Sequence, residues 1–120
     1  MSNPGNEADE GLQLKTHQEG GATVVSACGE VTVFSSPLLR EALRKIAVDR
    51  PARLILDLSE TRYIDSSGVA TIVEVLQATQ RYKGKLILAG LNARVRGVFE
   101  IARLDSIFPM AASVQEALNT

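Results

Sequence analysis

A chain of 120 residues is sized for a single domain, since compact domains mostly run to ~100–150 residues. Its 13 basic and 14 acidic residues leave a net charge of −1, which supplies no global field for a phosphate backbone or an anionic membrane. One cysteine, Cys28, and one histidine, His17, exclude an internal disulfide, a cysteine-based zinc site and a multi-histidine metal centre within one chain. Without tryptophan there is little to stack on bases, so no direct nucleic-acid partner is expected. The first residues are polar and acidic, unlike a signal peptide, and no apolar run reaches the ~20 residues of a membrane span. No membrane insertion is expected, and the cytoplasm is the expected compartment.

Residues 1–11 hold little to bury and read as a flexible N-terminal tail, which leaves 12–120 as the domain. Leu12 and Leu14 alternate with polar residues up to His17, the pattern of a half-buried strand. Glu19-Gly20-Gly21 is a turn, and the β-branched stretch Thr23 to Ala27 is a second strand, ended by Gly29-Glu30. Ser36-Pro37 starts a helix whose apolar stripe is Leu39, Ala42, Leu43, Ile46 and Ala47, and Pro51 stops it. Leu54-Ile55-Leu56 with Leu58 is a nearly continuous apolar run, as in a strand covered on both faces.

The polar turn Asp65-Ser66-Ser67-Gly68 then leads into a helix with Val69, Ile72, Val73 and Leu76 on one side, closed by Gly84 as its C-cap. Leu86 to Ala89 is another buried strand. Asn92 caps a helix carrying Val95, Val98, Phe99 and Ala102, although Gly97 inside it costs up to ~1 kcal/mol. Ser113-Val114-Gln115-Glu116 is a capping box for a short final helix. The order β-β-α-β-α-β-α-α implies an α/β fold. It comprises a mixed sheet of four to five strands, an initial β-hairpin, mostly parallel crossovers and about four helices.

Motifs for catalysis are missing. The residues around Ser66 lack the Gly-x-Ser-x-Gly of an α/β-hydrolase, and Gly84-Lys85 is followed by leucine where a phosphate-binding loop needs serine or threonine. Asp57 and Asp65, as strand-end aspartates, are expected to bond to turn backbone. No enzyme activity, metal or cofactor is expected. Cys28 reads as a small core residue, His17 as a surface residue, Arg94, Arg96 and Arg103 as solvated, and Ile107 and Phe108 as core-closing. The Asp65–Gly68 turn is different, because its hydroxyls sit at the positive end of a helix, where an added phosphoryl group is tolerated. Asp and Ser are also ordinary helix caps, and a cap needs no further role.

Arg53-Leu54-Ile55-Leu56-Asp57-Leu58-Ser59, Tyr63-Ile64-Asp65-Ser66-Ser67-Gly68-Val69 and Leu91 to Ile101 together resemble the signature of the anti-sigma factor antagonists. These are single STAS domains, a module shared with sulfate-transporter tails, and the resemblance runs from about Leu12 to Leu118. It implies a STAS-type sheet and a regulatory protein that binds an anti-sigma factor serine kinase and so releases the sigma factor. It further implies phosphorylation on Ser66 by that kinase, loss of binding, and resetting by a serine phosphatase. Asp65 and Ser67 would shape the phosphoacceptor turn, and Gly68 would let the kinase backbone approach. Where the family often has Gly-Glu-Leu-Asp, with the aspartate near the phosphoacceptor, this chain has Gly29-Glu30-Val31-Thr32. Arg103 likewise stands where the family usually has a glycine. The alternatives are a STAS scaffold subunit of an ABC-type lipid-transport complex and a small-ligand or nucleotide-sensing STAS module.

Overall fold

The computed structural model describes residues 11–120. The expected tail, apart from Gly11, lies outside the described residues. The elements in chain order are β1 (Leu12–Glu19), β2 (Ala22–Val31), α1 (Ser36–Val48), β3 (Arg53–Asp57), β4 (Thr61–Ile64), α2 (Ser66–Arg81), β5 (Lys85–Ala89), α3 (Ala93–Ile101), β6 (Met110–Ala111) and α4 (Val114–Leu118). β1 and β2 form the expected antiparallel hairpin. Every other pairing is parallel, in the order β1-β2-β3-β5-β6, with β4 also paired to β2. The expected α/β architecture is the one observed, with six strands among the described residues where four to five were expected. The additions are Thr61–Ile64 and the two-residue Met110–Ala111, both too short to show a period.

β2 does not end at Gly29-Glu30. It runs on to Val31, and the register shifts between those two residues as β2 leaves β3 and takes β4 as its neighbour. Gly29 makes this possible: its φ is +124°, and a Cβ there would strike the Gly11 carbonyl. The change of neighbour delivers Val31 and Thr32 beside the end of β4 and the start of α2.

Strand alternation assigns the two faces of the sheet. Val25, Ala27, Leu54, Leu56, Leu86 and Leu88 point to the side covered by α1, α2 and α3, where Leu39, Leu43, Ile72, Val95 and Phe99 complete the main core. Val24, Ile55, Ile87 and Ala89 point the other way, against Ala117 of α4. The apolar run at Leu54–Leu56 is therefore buried on both sides, as its composition implied. Arg53 ties the ends of this second face together by donating to the carbonyls of Leu118 and Gly20. Phe99 meets Phe108 edge to face at 5.4 Å and 86°. Phe108 closes the core as expected, while Ile107 stays 47% exposed.

Helix ends depart from the glycine rule. Arg50, Lys83 and Arg103, just beyond α1, α2 and α3, hold φ values of +49°, +66° and +61°. Gly84 is therefore not the left-handed cap of α2; Lys83 is. Gly84 is wanted for space instead, because a Cβ there would run into the Tyr82 ring and Pro51 O. At α3 the Arg103 and Leu104 amides return to Glu100 O and Phe99 O at 3.0 and 2.8 Å, closing the helix in the usual way around a strained residue. Arg103→Gly is expected to stabilise the fold by about 0.5–1 kcal/mol, read as a Tm a few degrees higher in thermal unfolding.

Candidate functional site

Asp65 organises the turn that the sequence singled out. Its Oδ1 accepts from the amides of Ser67 at 2.9 Å and Gly68 at 3.1 Å, capping α2, while Oδ2 accepts from the Val33 amide at 3.0 Å. Its own amide donates to Val31 O at 3.0 Å. One carboxylate thus fastens the first turn of α2 to the loop between β2 and α1. Asp65→Ala is expected to cost about 1–2 kcal/mol and to speed hydrogen exchange at Val33 as well as at Ser67 and Gly68.

The loop on the other side of this tether is just as fully used. Ser35 Oγ donates to Glu30 O at 2.8 Å and accepts from the Thr32 amide at 2.9 Å. Thr32 Oγ1 accepts from the Phe34 amide at 3.2 Å, and Thr32 O takes the amides of Ser35 and Ser36. Ser35, not Ser36, precedes α1, and its hydroxyl serves this loop rather than capping the helix. With the backbone satisfied inward, Val33 and Phe34 face solvent at 57% and 77% exposure, joined by Leu38 at 40%. Three exposed apolar side chains thus lie on this loop and the first turn of α1. The sequence reading missed them, although the apolar pair Val33-Phe34 ahead of a helix start was a signal.

The four residues of the turn divide sharply by burial. Ser66 is exposed, Ser67 half-buried and Gly68 buried. A Cβ on Gly68 would lie 2.6 Å from Val31 Cγ1 and 2.6 Å from Ile64 Cγ1, so this glycine is required by packing inside the chain. That differs from the expected role of admitting a partner's backbone. The Asp65 bonds to Val31 O and the Val33 amide bring Thr32 and Asp65–Gly68 to one rim. Along β4 the rim continues to Tyr63, with Arg94 Cζ 5.5 Å from its ring centroid. Arg94 is therefore stacked rather than simply solvated, whereas Arg96 pairs with Glu100 on its own helix.

The remaining candidates lie elsewhere. His17 is exposed, 2.9 Å from Glu19 Oε1. Asp57 accepts from Ser26 Oγ and from the Ser59 amide, the turn bonding expected of it. Cys28 is not a core residue: it is half-buried on the α4 face of the sheet, beyond the helix. Its thiol pKa is raised, chiefly by burial and then by the nearby Glu60 carboxylate, which disfavours the thiolate. No group of three metal-ligating side chains occurs among the described residues, and no described helix is long and apolar enough to cross a membrane.

A capped helix start bearing an exposed serine is thus set beside an apolar rim on a mixed sheet. Residues 13–117 match the STAS domain model, and the chain belongs to that family. It is 33% identical over 101 residues to the anti-sigma-B factor antagonist of Bacillus subtilis, covering 84% of this chain and 92% of that one. The crystal structure of an anti-sigma factor antagonist from Mycobacterium paratuberculosis superposes with a TM-score of 0.85 at 23% identity, over 92% and 93% of the two chains. The Bacillus cell fate determinant SpoIIAA in its phosphorylated form superposes with a TM-score of 0.69 at 21% identity, over 90% and 96%.

Proposed function

We propose that this chain is an anti-sigma factor antagonist in a partner-switching cascade, a cytoplasmic binding protein with no catalysis of its own. In the unphosphorylated form it binds a cognate anti-sigma factor, a serine kinase, and so frees the sigma factor. The kinase modifies Ser66, the complex parts, and a serine phosphatase resets the cycle. The names of the relatives support the first part of this reading, and the solved phosphorylated form of SpoIIAA supports the second.

The observation that carries it is the separation of duties in the turn. Asp65 makes the cap, so the Ser66 hydroxyl has no structural bond to lose among the described residues. A phosphoryl group added there gains ~0.3–1 kcal/mol from the helix N-terminus, which keeps the modified protein folded. Its charge of about −1.5 to −2 falls next to the Asp65 carboxylate and the Val33–Phe34 rim, where a partner would have to desolvate it. Modification therefore acts on docking and spares the fold.

Incubation with the cognate kinase and ATP is expected to label the wild type and leave Ser66→Ala unlabelled. Ser66→Asp is expected to keep the wild-type melting temperature and to lose at least about tenfold in kinase affinity by calorimetry, roughly 1.4 kcal/mol. Label on Ser66→Ala, or an unchanged affinity for Ser66→Asp, overturns the assignment of the switch to this hydroxyl.

A further inference from the structure

β1 is an edge strand, paired among the described residues with β2 alone. It is eight residues long, in unbroken register with β2 from Leu12↔Gly29 to Glu19↔Ala22. It has neither the proline nor the bulge that commonly blunts an edge. Gly20 and Gly21 have φ values of +58° and +79°, the signature of a two-residue type I′ hairpin loop. Glu19 and Ala22 flank that loop as a hydrogen-bonded pair, so the backbone groups of Glu19, His17, Lys15 and Gln13 are directed at β2. Those of Leu14, Thr16 and Gln18 are directed outward. Thr16 and Gln18 are exposed, and with Ile46, Asp49 and Pro51 they line a hollow of about 400 Å³.

The side chains of this edge are complementary to themselves. Lys15, His17 and Glu19 lie opposite Ser26, Val24 and Ala22, so all three are on the α4 face, and all three are exposed. We propose that the outer edge of β1 pairs antiparallel with the same edge of a second copy of this chain, about an axis through His17. In that register Thr16 faces Gln18 of the second copy and exchanges both backbone hydrogen bonds with it, and the reverse pair does the same. Lys15 then lies directly opposite Glu19 of the second copy, and Glu19 opposite Lys15, each pair contributing ~0.2–1 kcal/mol. The two His17 side chains meet at the axis, whereas a register centred on Lys15 would set lysine against lysine.

The pairing leaves the Ser66 turn accessible. His17 sits opposite Val24, whereas the turn lies beyond Val31, about 23 Å further along β2 at ~3.3 Å per residue. Each copy keeps its own docking rim, so the inference stands independently of what that rim binds.

Sedimentation equilibrium of the full chain is expected to show a reversible monomer–dimer equilibrium between micromolar and submillimolar concentrations. Lys15→Glu sets like charges across both pairs and is expected to weaken dimerisation about tenfold or more. The double exchange Lys15→Glu with Glu19→Lys restores attraction and is expected to return affinity to within about threefold of wild type. Thr16→Pro deletes an outward-facing donor without touching the β2 ladder and is expected to leave a folded monomer, checked by circular dichroism. A wild type that stays monomeric throughout overturns the proposal. So does a dimer indifferent to Lys15→Glu and Thr16→Pro, or a double variant no better than Lys15→Glu alone.

Discussion

Gly68→Val is expected to cost about 3 kcal/mol or more and to lower the melting temperature by about 10 °C or more. Gly68 has ordinary helical backbone angles, so conformational freedom is not the issue. Its Cα approaches β2 and β4 so closely that even a Cβ would sit 3.0 Å from Val31 O and nearer still to the Val31 Cγ1 methyl and the Ile64 Cγ1 methylene. Val31 and Ile64 are themselves buried and cannot step aside. The first turn of α2 must therefore lift, and lifting it pulls Asp65 from the Val33 amide. Gly68→Ala should fall between the two, at about 1–3 kcal/mol. A melting temperature unchanged in Gly68→Val would mean that the helix is not seated against β2 as described. Ser66→Asp, two residues away but exposed, provides the contrasting case within the same turn.

Phe99→Ala is expected to cost about 3–5 kcal/mol, a large share of the ~5–15 kcal/mol that holds a typical domain together. Phe99 is fully buried and is the largest side chain to be so. Its loss would open a cavity beneath α3 and strip Phe108 of its edge-to-face partner. Urea unfolding should show a lower midpoint with little change in slope if the variant keeps its native compactness. A cost below about 1 kcal/mol would contradict close packing of α3 on the sheet.

Much of this architecture was legible because its signals are local. The Gly20-Gly21 turn, the doubly apolar Leu54–Leu56 strand and the Ser113–Glu116 capping box each state their own structure within a few residues. The capping box is present nearly as written: Ser113 Oγ accepts from the Glu116 amide, and Glu116 reaches back to the Ala112 amide. The illegible parts depend on neighbours distant in sequence. β4 and β6 are strands only because β2 and β5 offer them edges, and no period shows in four residues or two. Gly29 looks like a strand terminator, yet the close approach of Gly11 makes it a bend within β2. Cys28 follows the apolar residues of β2, but α4 is too short to reach over it. At the site, the caps could be read directly from Asp65 and Asn92. The Val33–Asp65 bond and the exposed Phe34 needed the fold to bring the two loops together.

Asp65 and Ser66 are neighbours with unlike obligations, one bound into the architecture and the other not. If Ser66 carries the proposed phosphoryl group, a lineage could lose or mimic that group by replacing one codon, with no compensating repair elsewhere. On that reading, duplicated copies of the domain could diverge into locked and switchable versions on one unaltered frame. The aspartate beside it has no comparable liberty.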